Sequence, residues 1–139
     1  MIVLDTNVIS ELQGRKNSEK ILDWLEGYES EQVFLTAIAI AEIHFGIALL
    51  PSGARQDALR ETFMRIENEF EGRILTFSRS AAPHYGVIAA ERQKQGRQME
   101  TKDAMIAAIC IAHDATLATR NVKDFAGLDL KLINPFEEA

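Results

Sequence analysis

Ile2-Val3-Leu4-Asp5-Thr6-Asn7 is the stretch from which the fold is read. Three branched aliphatics are too short a run for a helix and suit a buried strand; Asp5-Thr6-Asn7 then breaks the run with three oxygen-bearing side chains. Val33-Phe34-Leu35-Thr36, Ile74-Leu75-Thr76-Phe77, Thr116-Leu117-Ala118-Thr119 and Leu130-Lys131-Leu132-Ile133 repeat the strand pattern. Helical patterns separate them. Ser18 is placed to cap an amphipathic helix ending near Gly27, and Ala37 to Leu50 reads as a mostly buried helix stopped by Pro51. Leu59, Phe63, Ile66 and Phe70 form one stripe of a helix from Ala54 to Phe70. Ser78 or Ser80 caps a helix running towards Gly96, and Thr101 opens one through His113 with Met105, Ile106, Ile109 and Cys110 inward. Alternating strands and helices predict a single α/β domain over residues 1–139. A parallel sheet of four to five strands lies between two helical layers. In such a sheet the crevice for chemistry lies at the carboxyl ends of the strands, which makes Asp5 the first candidate for function.

Composition narrows the classes. The chain has 139 residues, 47% of them hydrophobic and 26% charged, as in ordinary globular proteins. Its longest apolar stretch, Ala37 to Leu50, is interrupted by Glu42 and His44 and is shorter than a membrane span. The first strand follows Met1 directly, so no leader and no membrane partner is expected. A lone cysteine, Cys110, in an apolar helix reads as a core residue and fits a cytoplasmic, reducing setting. The net charge of −6 counts against a simple electrostatic nucleic-acid binder, but not against an enzyme whose clustered carboxylates hold cations.

The carboxylates recur at element boundaries. Asp5 ends the first strand, Glu42 lies within the apolar helix, Asp103 sits in the first turn of the Thr101 helix, and Asn121 and Asp124 follow the fourth strand. Taken singly, Asp103 suits a helix dipole, Asp5 a turn and Asp124 a solvated loop. Glu42 is harder to explain that way, since Ile38, Ala39, Ala41, Ile43, Phe45 and Ile47 leave it little solvated face. Polar oxygens in apolar settings need partners, and a hard divalent ion would satisfy all of them together. His44, His84 and His113 read as packing or surface groups, so no side-chain nucleophile is required.

Four segments in this order then resemble the PIN-domain family, specifically its VapC-like toxins and their FitB-like branch. They are Ile2 to Glu11, Ala41-Glu42-Ile43-His44-Phe45-Gly46, Asp103 to Ala108, and Leu117-Ala118-Thr119-Arg120-Asn121 through Lys123-Asp124-Phe125. The resemblance implies a three-layer α/β/α fold and an endoribonuclease dependent on Mg²⁺ or Mn²⁺, in which ion-activated water attacks the phosphorus in line. It implies Asp5, Glu42 and Asp103 as metal-binding residues. Many members carry a fourth acid where this chain has Asn121, and Asp124 is then the candidate to supply the charge. Thr6 and Thr119 are candidate hydroxyl supports. Arg92, Lys94, Arg97 and Lys102 crowd the segment before Asp103, and with Arg120 they are candidate RNA contacts. The expected substrate is an unpaired loop of a structured RNA such as tRNA.

The resemblance also implies a homodimer, a cognate antitoxin laid over the site, and contact with DNA only through that antitoxin. The Ser18–Tyr28 and Ala37–Leu50 helices are candidates for these contacts. Two alternatives remain open. One is a non-catalytic PIN-like binding module; the other is a haloacid-dehalogenase-type phosphatase, which needs an acid where Asn7 stands.

Overall fold

The computed structural model describes residues 1–13 and 18–137. Strands β1 (Ile2–Leu4), β2 (Val33–Thr36), β3 (Ile74–Leu75), β4 (Thr116–Ala118) and β5 (Lys131–Ile133) form one sheet in the order β3-β2-β1-β4-β5. Every pairing is parallel, with Val3 opposite Phe34 on one side and Leu117 on the other. The helices are α1 (Thr6–Glu11), α2 (Ser18–Leu25), α3 (Ala37–Leu49), α4 (Ala54–Glu69), α5 (Ala82–Lys94) and α6 (Thr101–Ala112). No helix among the described residues is long and apolar enough to cross a membrane.

Strand alternation divides the core in two. Val3 and Leu117 join Ile88 of α5 and Ala104, Ile106, Ile109 and Cys110 of α6 in one buried cluster. Leu4, Leu35 and Ala118 face the other way, onto Val8 and Ile9 of α1, Ile21 of α2, Ile43 and Ile47 of α3, and Phe63 of α4. The result is the expected three-layer α/β/α arrangement. Burial lifts the Cys110 thiol to about 12, so it packs as a small apolar group.

The sheet order positions the site. From β1 the chain moves outward through β2 and β3, then returns to the other side of β1 as β4. The direction of winding therefore reverses between β1 and β4, where open α/β sheets leave a crevice. Asp5 and Thr119 follow those two strands, and the Asp5 N–H donates to the Ala118 carbonyl at 2.9 Å.

Four local readings are corrected. Helix α1, unexpected from sequence, starts directly after β1, with the Asp5 side chain accepting from the Thr6 N–H at its N-terminus. Strand β3 ends at Leu75; Phe77 leaves the sheet edge and packs edge-on against Tyr85. Neither Ser78 nor Ser80 caps α5: their hydroxyls bond each other, and the Ser78 carbonyl accepts from Ala81 and Ala82 instead. Helix α3 is buried only along Ala39, Ile43 and Ile47, leaving Phe45 and Leu49 64% and 69% exposed. The expected Ser18 side-chain cap lies outside the described residues.

Candidate active site

A cavity of about 700 Å³ opens at the carboxyl ends of β1 and β4, and Asp5, Glu42, Asp103, Asn121 and Asp124 all line it. Each arrives from a different part of the chain for a local reason. Asp5 is the residue at which β1 becomes α1. Thr36 caps α3 by accepting from the Ala39 N–H, and this places Glu42 in the helix's second turn. Asp103 lies in the first turn of α6, and Asn121 and Asp124 belong to a one-turn 3-10 helix (Val122–Phe125) and its cap.

Asp5 is buried and held on both oxygens. Its Oδ1 accepts from the Thr6 N–H at 2.8 Å; its Oδ2 accepts from the Thr119 hydroxyl at 2.9 Å and the Asn7 amide at 3.4 Å. Thr119 is itself fully buried and receives the Asn7 amide (3.2 Å) and the Asn121 N–H (3.0 Å). Asn7 thus ties the β1 and β4 ends together. Glu42 accepts from the Thr6 hydroxyl at 3.0 Å on one oxygen and faces the Lys102 ammonium at 3.3 Å on the other.

The electrostatics record the crowding. Burial is the main force raising the Asp5 carboxyl, opposed by its bonds from Thr6 and Thr119 and reinforced by the charges of Glu42 and Asp124. Asp103 is pushed up to about 6 by burial first, then by Asp5, Glu100, Asp124 and Glu42. Conversely, the bond to Glu42 and its charge raise the Lys102 ammonium.

These acids fit a hard divalent ion. Among the described residues no cysteine or histidine lines the cavity, and the acids there offer oxygen donors. Among the described residues no three acid, histidine or cysteine side chains are drawn close enough to enclose an ion unaided. Mg²⁺ tolerates that, because it keeps several waters and takes one or two carboxylates. Burial first, and the charges of neighbouring acids second, lift Asp5 and Asp103, and a bound cation would offset both.

The basic residues divide. Arg97, Arg120 and Lys123 line the cavity. Lys102 touches it through Glu42, whereas Lys94 is exposed and does not line it. Arg92 lines it but is buried, its guanidinium donating to the Ala126 carbonyl at 2.6 Å and so tethering the loop that carries Asp124. Asn7, Glu11 and Glu100 also line the cavity and were not singled out from the sequence. For Asn7 the signal was available, in the Asp-Thr-Asn triplet. His44 instead pairs with Glu67 at 3.0 Å on an exposed helix face, away from the cavity.

Comparison with known proteins gives consistent matches. Residues 2–129 match the PIN domain. The chain is 42% identical to plasmid stability protein StbB of Pseudomonas syringae pv. tomato, covering 99% of each. It is 37% identical to VapC ribonuclease Y4jK of Sinorhizobium fredii, covering 100% of each. Toxin FitB of Neisseria gonorrhoeae is likewise 37% identical, over 99% of this chain and 100% of that one. The solved structure of FitAB bound to an IR36 DNA fragment superposes with a TM-score of 0.90 at 36% identity, covering 100% of this chain and 98% of that one.

Proposed function

This chain belongs to the PIN-domain family, and from that premise we propose that it is the toxin of a toxin–antitoxin pair, a cytoplasmic endoribonuclease dependent on Mg²⁺ or Mn²⁺. One observation carries the reading: acids from four separate segments line a single cavity at the sheet's switch point. The names of the relatives, a VapC ribonuclease and a toxin, support the activity and the role.

Asp5, Glu42 and Asp103 would hold the ion, with Asp124 supplying charge where Asn121 replaces an acid. When bound, the ion supplies Lewis acidity towards a phosphoryl oxygen and counter-charge for the transition state. The chain's own groups do the rest. Thr119 and Asn7 fix the Asp5 carboxylate, and the Thr6 hydroxyl fixes Glu42. Asp103 must be ionised to serve as a ligand, so ion binding would strengthen as pH rises through about 6. Arg97, Arg120 and Lys123 on the walls, with Lys102 beside Glu42, draw the RNA backbone into a site whose acids would otherwise repel it. The buried Arg92 adds charge from behind the Asp124 loop, and Lys94 extends the basic path outside the cavity. An unpaired loop of a structured RNA such as tRNA is the proposed substrate.

The partners are a second copy of the chain and an antitoxin. Exposed Leu22, Phe45 and Leu49 on α2 and α3 are the proposed apolar contact surface, and the net charge of −6 suits a basic antitoxin segment. Contact with DNA would come through the antitoxin.

The test is cleavage of bulk RNA by the purified chain in Mg²⁺. The expected result is cleavage that stops with chelator and in the Asp5→Asn, Glu42→Gln and Asp103→Asn variants. Cleavage that persists in all of these overturns the reading. RNA binding without any cleavage favours a non-catalytic binding module.

A further inference from the structure

The mechanism above leaves one buried carboxylate at the cavity unused. Glu11 closes α1, is only 6% exposed and lines the cavity. Its Oε1 stands 3.6 Å from Arg120 Nη2, while its Oε2 has no hydrogen-bond partner among the described residues. Burying a carboxylate oxygen without a donor is costly, and a residue kept only for packing would be better replaced by an apolar one. The charge of Glu11 therefore has a purpose beyond filling space, and Arg120 is the cation it faces.

Arg120 is held from several directions. Its Cζ lies 3.7 Å above the Phe136 ring, on a ring anchored by the Phe136 N–H to Asn134 Oδ1 (3.0 Å) and by the Lys20 ammonium to the Phe136 carbonyl. The Arg120 N–H donates to Asn7 Oδ1 at 3.0 Å, the same Asn7 whose amide touches Asp5 and Thr119. The backbone of Arg120 is thus registered to the acidic floor, and its guanidinium rests between a carboxylate and an aromatic face. About half of the side chain, 47%, stays open. A separation of 3.6 Å is too long for a hydrogen bond, so the guanidinium N–H groups are not consumed by Glu11. A planar, oriented fork with open N–H groups matches a phosphate in a way a lysine cannot.

We infer that Glu11 and Phe136 are positioning residues that hold the Arg120 guanidinium at the cavity lip as a fork for one RNA backbone phosphate. The inference rests on the RNA-cleaving function proposed above. Glu11 acts through Arg120, because its own Oε2 is covered.

The test is binding of a fluorescein-labelled, mixed-sequence single-stranded RNA in EDTA, followed by anisotropy over a range of KCl. Arg120→Ala is expected to weaken binding about tenfold and to reduce the salt slope by about 0.7, one phosphate contact. Arg120→Lys keeps the slope but loses about threefold in affinity. Glu11→Gln and Phe136→Leu each weaken binding about threefold, with the slope unchanged, and neither adds to Arg120→Ala. The Phe136 variant, at a half-buried position, gives the answer if Glu11→Gln fails to fold. Wild-type binding by Arg120→Ala overturns the inference, as does a loss in Glu11→Gln and Phe136→Leu that is the same with or without Arg120. Cleavage of bulk tRNA in Mg²⁺ separates the two ideas. Cleavage together with binding indifferent to Arg120 sinks only the fork; Arg120-dependent binding without cleavage sinks only the nuclease. Neither binding nor cleavage sinks both.

Discussion

Helix α1 carries a buried carboxylate at each end, and the two are held in different ways. Asp5, before its first turn, takes donors from Thr6, Asn7 and Thr119, so both oxygens are engaged and the group is fixed. Glu11, in its last turn, has one oxygen 3.6 Å from a guanidinium and the other unpartnered. A carboxylate that must meet an ion repeatedly in one geometry benefits from rigid outer donors. One that only steadies a guanidinium from 3.6 Å leaves that cation's N–H groups open to a ligand. The two ends of one short helix therefore serve different groups: a fixed acid at the cavity floor, and a carboxylate that steadies Arg120, a residue from the segment after β4, at the lip.

The largest effect expected is at the fixed end. Asp5→Asn should lower RNA cleavage by about 100-fold or more, measured as initial rate at saturating Mg²⁺, since losing even an outer-shell partner of a ligand typically costs about 10–100-fold. Thr119→Val comes next. It removes a fully buried hydroxyl that donates to Asp5 and accepts from Asn7 and Asn121. A cost of about 1–3 kcal/mol in urea denaturation is expected, with cleavage falling about 10-fold.

Asp103→Asn tests whether burial, with the charges of neighbouring acids, raises this carboxyl. In the folded chain the carboxyl is raised from 3.8 to about 6, so its ionisation disfavours folding. That penalty is absent below pH 4, grows as pH rises towards 6 and is complete above it. The Asn variant should therefore match the parent at low pH and be more stable at pH 7. The gain should be about 1 kcal/mol, because Asp103 is only half-buried, so that solvent softens both the cost of burying its charge and the repulsion. Metal-free denaturation at pH 4 and pH 7 checks the sign. The smallest effect is at the loosely held end, where Glu11→Gln should leave the maximal cleavage rate within about twofold of the parent while raising KM about threefold.

Much of this was legible in the sequence because short branched runs in a parallel sheet are unambiguous when punctuated by polar residues. β1, β2, β4 and β5 were found within a residue or two, and Asp5, Glu42, Asp103, Asn121 and Asp124 do line one cavity. Helix α1 was not legible: six residues give no periodicity, and Asp-Thr-Asn reads equally as a turn. The exposed face of α3 was hidden because Phe45 and Leu49 are as apolar as its buried stripe. Arg92 misled in the opposite direction. Its charge and its place before Asp103 suggested an open RNA contact, but the carbonyl of Ala126, 34 residues on, draws it inside. Long-range pairings of this kind, including Glu11 with Arg120, leave no trace in local pattern.

The central claim is that the acids gathered at the carboxyl ends of β1 and β4 hold a hard divalent ion. Titrating Mn²⁺ into the purified chain at pH 7, with free ion followed by electron paramagnetic resonance, measures this without RNA. The account predicts saturable binding that weakens at pH 5 and is lost in both Asp5→Asn and Asp103→Asn. Absence of binding, or binding that both variants retain unchanged, would contradict it.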